Sequence, residues 1–244
     1  MRAAKWRDIL IGDTELIEKL RETPVIPPQQ IRDQLVMNND IRRTFPTEGW
    51  FNTEKHIKNL RAIIMAYADV NKSIGYAQGM CFITFTLYRV YYEDCPKHAV
   101  TDTFYSLHSI MGFLRPLFPR DANDPFVIKW IDSTAGVIKL KLLSKNALLV
   151  SKIRGNGFIK LLIVKTLPAL FANWFEYNDL LLVWDHIFSS EDIFENTLNI
   201  VVGMIVYHKD VYIHLRNEKI LQLTAVRSFY KASSVVSHAY TLKR

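Results

Sequence analysis

The sequence predicts an all-α fold, on three grounds. Hydrophobic residues make up 49% of the 244 and charged residues 23%, the balance of a folded globular chain rather than of a disordered tail, and the length is ample for a buried core. Glycine and proline occur only 9 times each, too few for the many turns that a chain of short strands needs. Apolar residues recur at three- and four-residue steps along most of the chain, the spacing that gathers them on one stripe of a helix.

Ile57, Leu60, Ile64, Tyr67 and Ala68 make the first such stripe, with Lys55, Lys58, Asn59 and Arg61 largely off it. From Met80 to Tyr92 nearly every position is apolar, as in a helix buried on several sides. Leu107, Ile110, Met111 and Leu114 form another stripe that ends before Pro116, because proline cannot continue a helix. Further helices are expected at Phe126–Lys139, Asn146–Lys152, Phe158–Lys165, Asn178–Phe188 and Ile193–Tyr207. Two segments resist helix. Pro24–Pro28 is extended, since each proline pushes its predecessor out of the helical region. Arg115–Pro125 is the expected divide between an amino-terminal lobe (1–115) and a carboxy-terminal lobe (126–244), and it is short for a free linker, so the lobes are expected to pack together. No internal repeat or low-complexity stretch interrupts the pattern.

Composition narrows the chemistry. The two cysteines, Cys81 and Cys95, have no close histidine cluster, so neither a disulfide framework nor a metal site is expected, and a reducing compartment fits. The nearest histidine pair, His208 and His214, is spaced six apart, which does not put both on one helical face. Met1–Leu10 is charged and lacks the apolar run of a signal peptide. Phe158–Phe175 carries Lys160, Lys165 and Pro168, and Leu198–Tyr207 is too short to span a bilayer. The net charge of +7 is unevenly placed. Lys129–Lys165 holds eight basic residues against Asp132 alone, so that stretch carries the whole excess. It suits nucleic acid, an anionic membrane or an acidic protein, or merely a solvated face.

No nucleophile elbow, Walker-type loop or dinucleotide turn is present. Two polar segments stand out in the greasy chain instead. In Met37–Pro46, Asp40 and Arg43 are three apart and share a helical face, so they can pair. Pro46 stops the helix and leaves Arg43 at its exit, where an arginine braced by a carboxylate can be aimed at another molecule. In Ser73–Met80, Gly75 and Gly79 flank Tyr76 and Gln78 just before a buried helix. An amide so placed both donates and accepts, which is what positioning a water requires. Taken singly, each segment also reads as a structural ion pair or a capping residue.

Together they resemble the TBC domain of Rab GTPase-activating proteins. That family carries an Ile-x-x-Asp-x-x-Arg motif continuing Arg-Thr-Phe-Pro, and then Gly-Tyr-x-Gln-Gly-Met. This chain has Asp40, Arg43–Pro46 and Gly75–Met80 in that order, with a helix between. Trp174-Phe175 and Trp184-Asp185 with Phe188 resemble the family's late elements, and Arg2–Trp6 through Gly12 its early stretch, so the likeness covers essentially the whole chain. Met37 replaces the usual isoleucine, a swap of similar volume. Cys81 stands where a polar residue is common, and Leu182 where arginine is frequent. The Gly-Ile-Pro segment usually just upstream is missing, so the amino-terminal edge of the fold is expected to be incomplete.

The resemblance implies a multi-helix TBC-type domain and a GTPase-activating protein acting in trans, with no complete active site and no cofactor of its own. A Rab-family GTPase would bring GTP and magnesium. Arg43 would stabilise charge on the phosphate oxygens and Gln78 would orient the attacking water, with Asp40 and Tyr76 in support. The place of action is expected to be cytoplasmic, peripheral on endomembranes, with residues 129–165 facing anionic lipid. Two rival readings are a scaffold of the same fold that binds a GTPase without accelerating it, and a basic helical nucleic-acid binder. Intact Arg43 and Gln78 argue against the first, and the lack of a nucleic-acid motif against the second.

Overall fold

The computed structural model describes residues 2–44, 49–118, 124–153, 157–190, 192–214 and 230–241, and every regular element among them is helical. The chain divides into two compact units, Met1–Arg120 with Pro168–Leu170, and Asp121–Leu167 with Phe171–Arg244.

The first unit contains α1 (Arg2–Leu10), α2 (Thr14–Arg21), α3 (Gln34–Arg43), α4 (Glu54–Val70), α5 (Met80–Asp94) and α6 (Ala99–Leu114). The apolar run predicted from Met80 becomes α5, the buried centre. Met80, Phe85, Leu87, Tyr88 and Tyr91 are all inaccessible, and α4 and α6 pack on α5 and on each other. The stripe on α4 faces this core through Leu60, Ile64, Tyr67 and Ala68.

Apolar spacing did not single out α1 and α2. Helices of eight or nine residues are marginal alone, and these two are held by polar bonds. Asp13 caps α2 by accepting from the Leu16 N–H at 2.9 Å. Arg21 donates from both Nε and Nη2 to the Asp102 carboxylate on α6, at 2.9 and 2.7 Å. Arg7 of α1 donates to Asp102 at 3.2 Å and to Asp94 at 2.7 Å. Asp102 is fully buried, and a carboxylate that deep persists only when paired. Its bond to Arg21 also raises that guanidinium above its ordinary pKa.

In the second unit α7 (Pro125–Lys145) is followed by α8 (Ala147–Lys152), α9 (Gly157–Thr166), α10 (Tyr177–Ile187), α11 (Ile193–Tyr207), α12 (Lys209–His214) and α13 (Ala232–Tyr240). The core is built where α11 meets α13, with α10 against α13 and α7 against α8, α9 and α11. Gly203 makes the α11–α13 contact possible, because a Cβ there would sit 2.4 Å from the Val235 carbonyl oxygen.

The chain departs from its expected bounds in two places. The proline-rich divide starts with a 3₁₀ turn, Arg115–Leu117, since proline at the first turn removes only an N–H that would be unsatisfied anyway. Helix α7 starts at Pro125 with Asp124 capping the Phe126 N–H at 2.9 Å, and runs six residues past Lys139. The remainder of the divide, residues 119–123, lies outside the described residues.

Candidate functional site

Arg43 is the last residue of α3. Thr44 leaves the helix in extended conformation, its hydroxyl donating back to the Asp40 carbonyl at 2.7 Å. Pro46, the expected stop, lies outside the described residues. One turn before Arg43, Asp40 is buried at 4% exposure. One of its oxygens accepts from Nη2 of Arg43. The other accepts from the Tyr76 hydroxyl at 2.6 Å. The carboxylate therefore joins the two sequence motifs, 36 residues apart, and tethers the arginine through a single nitrogen. The Arg43 side chain remains 62% exposed. Its place at a helix carboxy terminus also favours a cation.

Tyr76 is buried and touches the Cys81 sulfur at 3.3 Å. Burial above all, then Cys81 and Asp40, lifts its hydroxyl well above the ordinary phenolic range, so it stays a donor. Burial also pushes the Cys81 thiol up to about 12, leaving it protonated beside Tyr76. Cys81 thus belongs to the bracing of the site, where the sequence reading treated it as a departure from pattern.

Gln78 is exposed on the turn that enters α5. The Met80 N–H donates to the Ala77 carbonyl at 3.1 Å and closes that turn. Gly79 caps α5 with φ +106°, a left-handed conformation that favours glycine. A Cβ on Gly79 would lie 2.5 Å from the Pro168 carbonyl oxygen. Pro168–Leu170, grouped with this unit, turn sharply there, with Leu170 at φ +43°. No local sequence signal marks Pro168, because its role is a backbone contact across 89 residues.

The structure brings Asp40, Arg43 and Tyr76 into one bonded group and places Gln78 two residues beyond Tyr76 on the exposed turn. Met37 is wholly buried, so it fills the apolar position of the motif. Leu182 lies on the exposed side of α10. Arg42 is exposed, and two residues from Asp40 it does not share that residue's helical face.

The basic stretch is less free than its sequence suggests. Lys141 pairs with Glu195 and Lys160 with Asp132, while Lys145 donates to the Thr241 carbonyl at 2.6 Å. Lys129, Lys139 and Lys165 are exposed. The Lys152 side chain and Arg154 lie outside the described residues. Among the described residues no three metal-ligating side chains gather, and no helix is long and apolar enough to cross a membrane.

The sequence model of the Rab-GTPase-TBC domain family matches residues 18–220. Human TBC1 domain family member 13 is 25% identical over 164 residues, which cover 63% of this chain and 39% of that protein. The GTPase-activating protein GYP3 of Saccharomyces cerevisiae is 30% identical over 79 residues, 29% of this chain and 12% of that protein. The chain thus spans less than half the length of either relative. Among solved structures, the Ypt/Rab-GAP domain of Gyp1p superposes with a TM-score of 0.74 at 12% identity, covering 98% of this chain and 87% of that one. The Chlamydomonas flagellar RabGAP TBC domain superposes with a TM-score of 0.60 at 14% identity, covering 97% and 72%. At such identity these two likenesses speak for the fold.

Proposed function

The chain belongs to the Rab-GTPase-TBC domain family, and we propose that it accelerates GTP hydrolysis by a Rab-family GTPase, acting in trans through Arg43 and Gln78. The observation that carries this reading is the doubly held Asp40. A buried carboxylate that gives one oxygen to Tyr76 and the other to a single nitrogen of an exposed arginine leaves that guanidinium aimed and available. The partner brings GTP and magnesium. As the terminal phosphoryl bond breaks, charge on its oxygens is met by Arg43, which is already oriented and needs little reorganisation. Gln78, fixed by the turn at Gly79, orients the attacking water. Asp40 positions Arg43, and Tyr76 locks Asp40 while anchoring the start of the Gln78 turn. An arginine supplied this way is worth ~10³–10⁵ in rate. The place of work is then cytoplasmic, at membranes that carry the GTPase. Exposure of both Arg43 and Gln78 supports this reading over a scaffold that only binds its GTPase.

The experiment is single-turnover phosphate release from a panel of GTP-loaded Rab proteins with and without this domain. At least one should be accelerated, and Gln78→Ala should lose most of that effect. A Rab whose own catalytic glutamine is replaced by leucine should still respond to the intact domain. No response across the panel would overturn the activity. Response that vanishes only on the leucine mutant would remove Gln78 from the mechanism and keep Arg43.

A further inference from the structure

Helix α7 is apolar on two sides. Val127, Ala135, Ile138 and Leu142 are buried against the second unit. At about 100° per residue, Phe126, Lys129, Ser133, Val137, Leu140 and Ser144 fall within an arc of about 80° on the opposite side. There Phe126 is 63% and Leu140 68% exposed, with Val137 and Leu143 also open. Seven of the fourteen large hydrophobic side chains exposed among the described residues lie between Phe126 and Val164. That is the same stretch in which the whole net charge resides. A face this apolar is not what solubility requires of a surface helix, and such patches mark interaction sites.

We infer that the outer face of α7 docks on an anionic membrane surface, its apolar side chains entering the headgroup boundary and its lysines meeting lipid phosphates. Charge decides the occupant. Lys129 lies within the arc and Lys139 on the flank of the helix, about 80° from the arc's edge, and both are exposed. The one acid on α7's outward half, Asp132, is already matched by Lys160. Apolar side chains interleaved with lysine, on a face without an uncompensated carboxylate, suit the boundary between acyl chains and acidic headgroups. Charge alone would not serve. Lys141 and Lys145 are engaged within the protein, which leaves too few cations for purely electrostatic anchoring and makes the apolar contribution necessary. This inference is independent of the proposed GTPase-activating role.

The test is co-sedimentation of the whole chain with vesicles of phosphatidylcholine, alone or with phosphatidylserine, at low and high salt. Binding to the acidic vesicles alone is expected. Phe126→Gln and Leu140→Gln should each lower partition about tenfold, Lys129→Gln about fivefold, and Lys139→Gln, on the flank, by less. The lysine effects should shrink at high salt while the apolar ones persist. Val70→Gln, at an equally exposed valine on α4, should change nothing, and circular dichroism confirms that each exposed-site variant folds. Absence of binding, equal binding by wild type and variants, or a concentration-dependent dimer that Leu140→Gln dissolves would overturn the inference, the last by assigning the face to a second copy of this chain.

Discussion

Asp40 and Asp102 are both buried carboxylates in the first unit, and both hold arginines, yet they leave those arginines in opposite states. Asp102 accepts three N–H groups from Arg7 and Arg21, whose side chains are only 11% and 13% exposed. Asp40 accepts one nitrogen of Arg43 and gives its other oxygen to Tyr76. The first arrangement consumes its arginines as struts between α1, α2 and α6. The second uses a tyrosine hydroxyl to satisfy the carboxylate, so one tether orients the arginine without enclosing it. What separates an enclosed arginine from a presented one here is the second ligand of the carboxylate, not the ion pair.

Arg43→Ala is the sharpest way to break the comparison. Acceleration of a responsive Rab should fall by ~10³–10⁵, while stability measured by urea denaturation should fall by only about 1–3 kcal/mol, for the buried Asp40 oxygen left without its partner. Arg43→Lys should restore little, because an ammonium cannot reproduce the guanidinium fork. Full activity in Arg43→Ala together with inactivity in Arg42→Ala would move the finger by one residue.

Asp102→Ala should show the opposite profile. Removing the shared carboxylate leaves two arginines enclosed without it, a loss of about 3–5 kcal/mol, read as a lowered urea midpoint. Arg7 and Arg21 keep Asp94 and Glu18, which favours the lower end. The fraction that remains folded should stimulate GTP hydrolysis normally, and a parallel fall in specific activity would show that the two carboxylates are coupled.

Tyr76→Phe probes the ligand that distinguishes the two sites. It removes one hydrogen bond and leaves an Asp40 oxygen buried without it, which amounts to about 1–3 kcal/mol. Turnover should fall by roughly tenfold, mostly in kcat, because a loosened Arg43 still contacts the partner. An unchanged kcat would mean that Arg43 needs only Asp40.

The smallest expected effect is on pH. Burial lowers the pKa of His56 and of His108 below the ordinary 6.5, with Lys55 adding to the shift at His56. Their unfolded forms therefore bind protons first on acidification. The neutral rings contribute stability in full above 6.5, and that contribution is lost as pH falls below it, by at most about 1.4 kcal/mol per unit for each ring. His56 stacks on Trp50 and meets the Tyr88 hydroxyl at 3.2 Å, and His108 meets Asn71 at 2.8 Å. His108 lies on α6, the helix that carries Asp102, and His56 on α4, which packs against α6. Thermal denaturation between pH 7 and 5.5 should show the decline, and His56→Gln should flatten part of it.

Much of this was legible in the residues themselves. The stripe on α4, the apolar run of α5 and the scarcity of glycine and proline give the helices directly, because side-chain periodicity follows from local backbone geometry. The Asp40–Arg43 pair was equally readable, since residues three apart on a helix must share a face. Helices α1, α2 and α13 were not, because their short apolar patterns acquire meaning only against a packed neighbour. Nor was the extent of α7, a helix that packs against α8, α9 and α11 and carries no stop signal at Lys139.

By itself, then, the sequence determined an all-helical chain, its two polar motifs and the family those motifs announce. Tertiary structure decided which arginines are enclosed and which is presented, that Tyr76 reaches Asp40, that Gly79 lies under Pro168, and which side of α7 is left open. The physical reason is range. Helical spacing and i, i+3 pairing are set within a few residues, whereas the Arg21–Asp102 bond spans 81 positions. Burial at a given side chain is likewise a property of everything packed around it, and no window of sequence contains that.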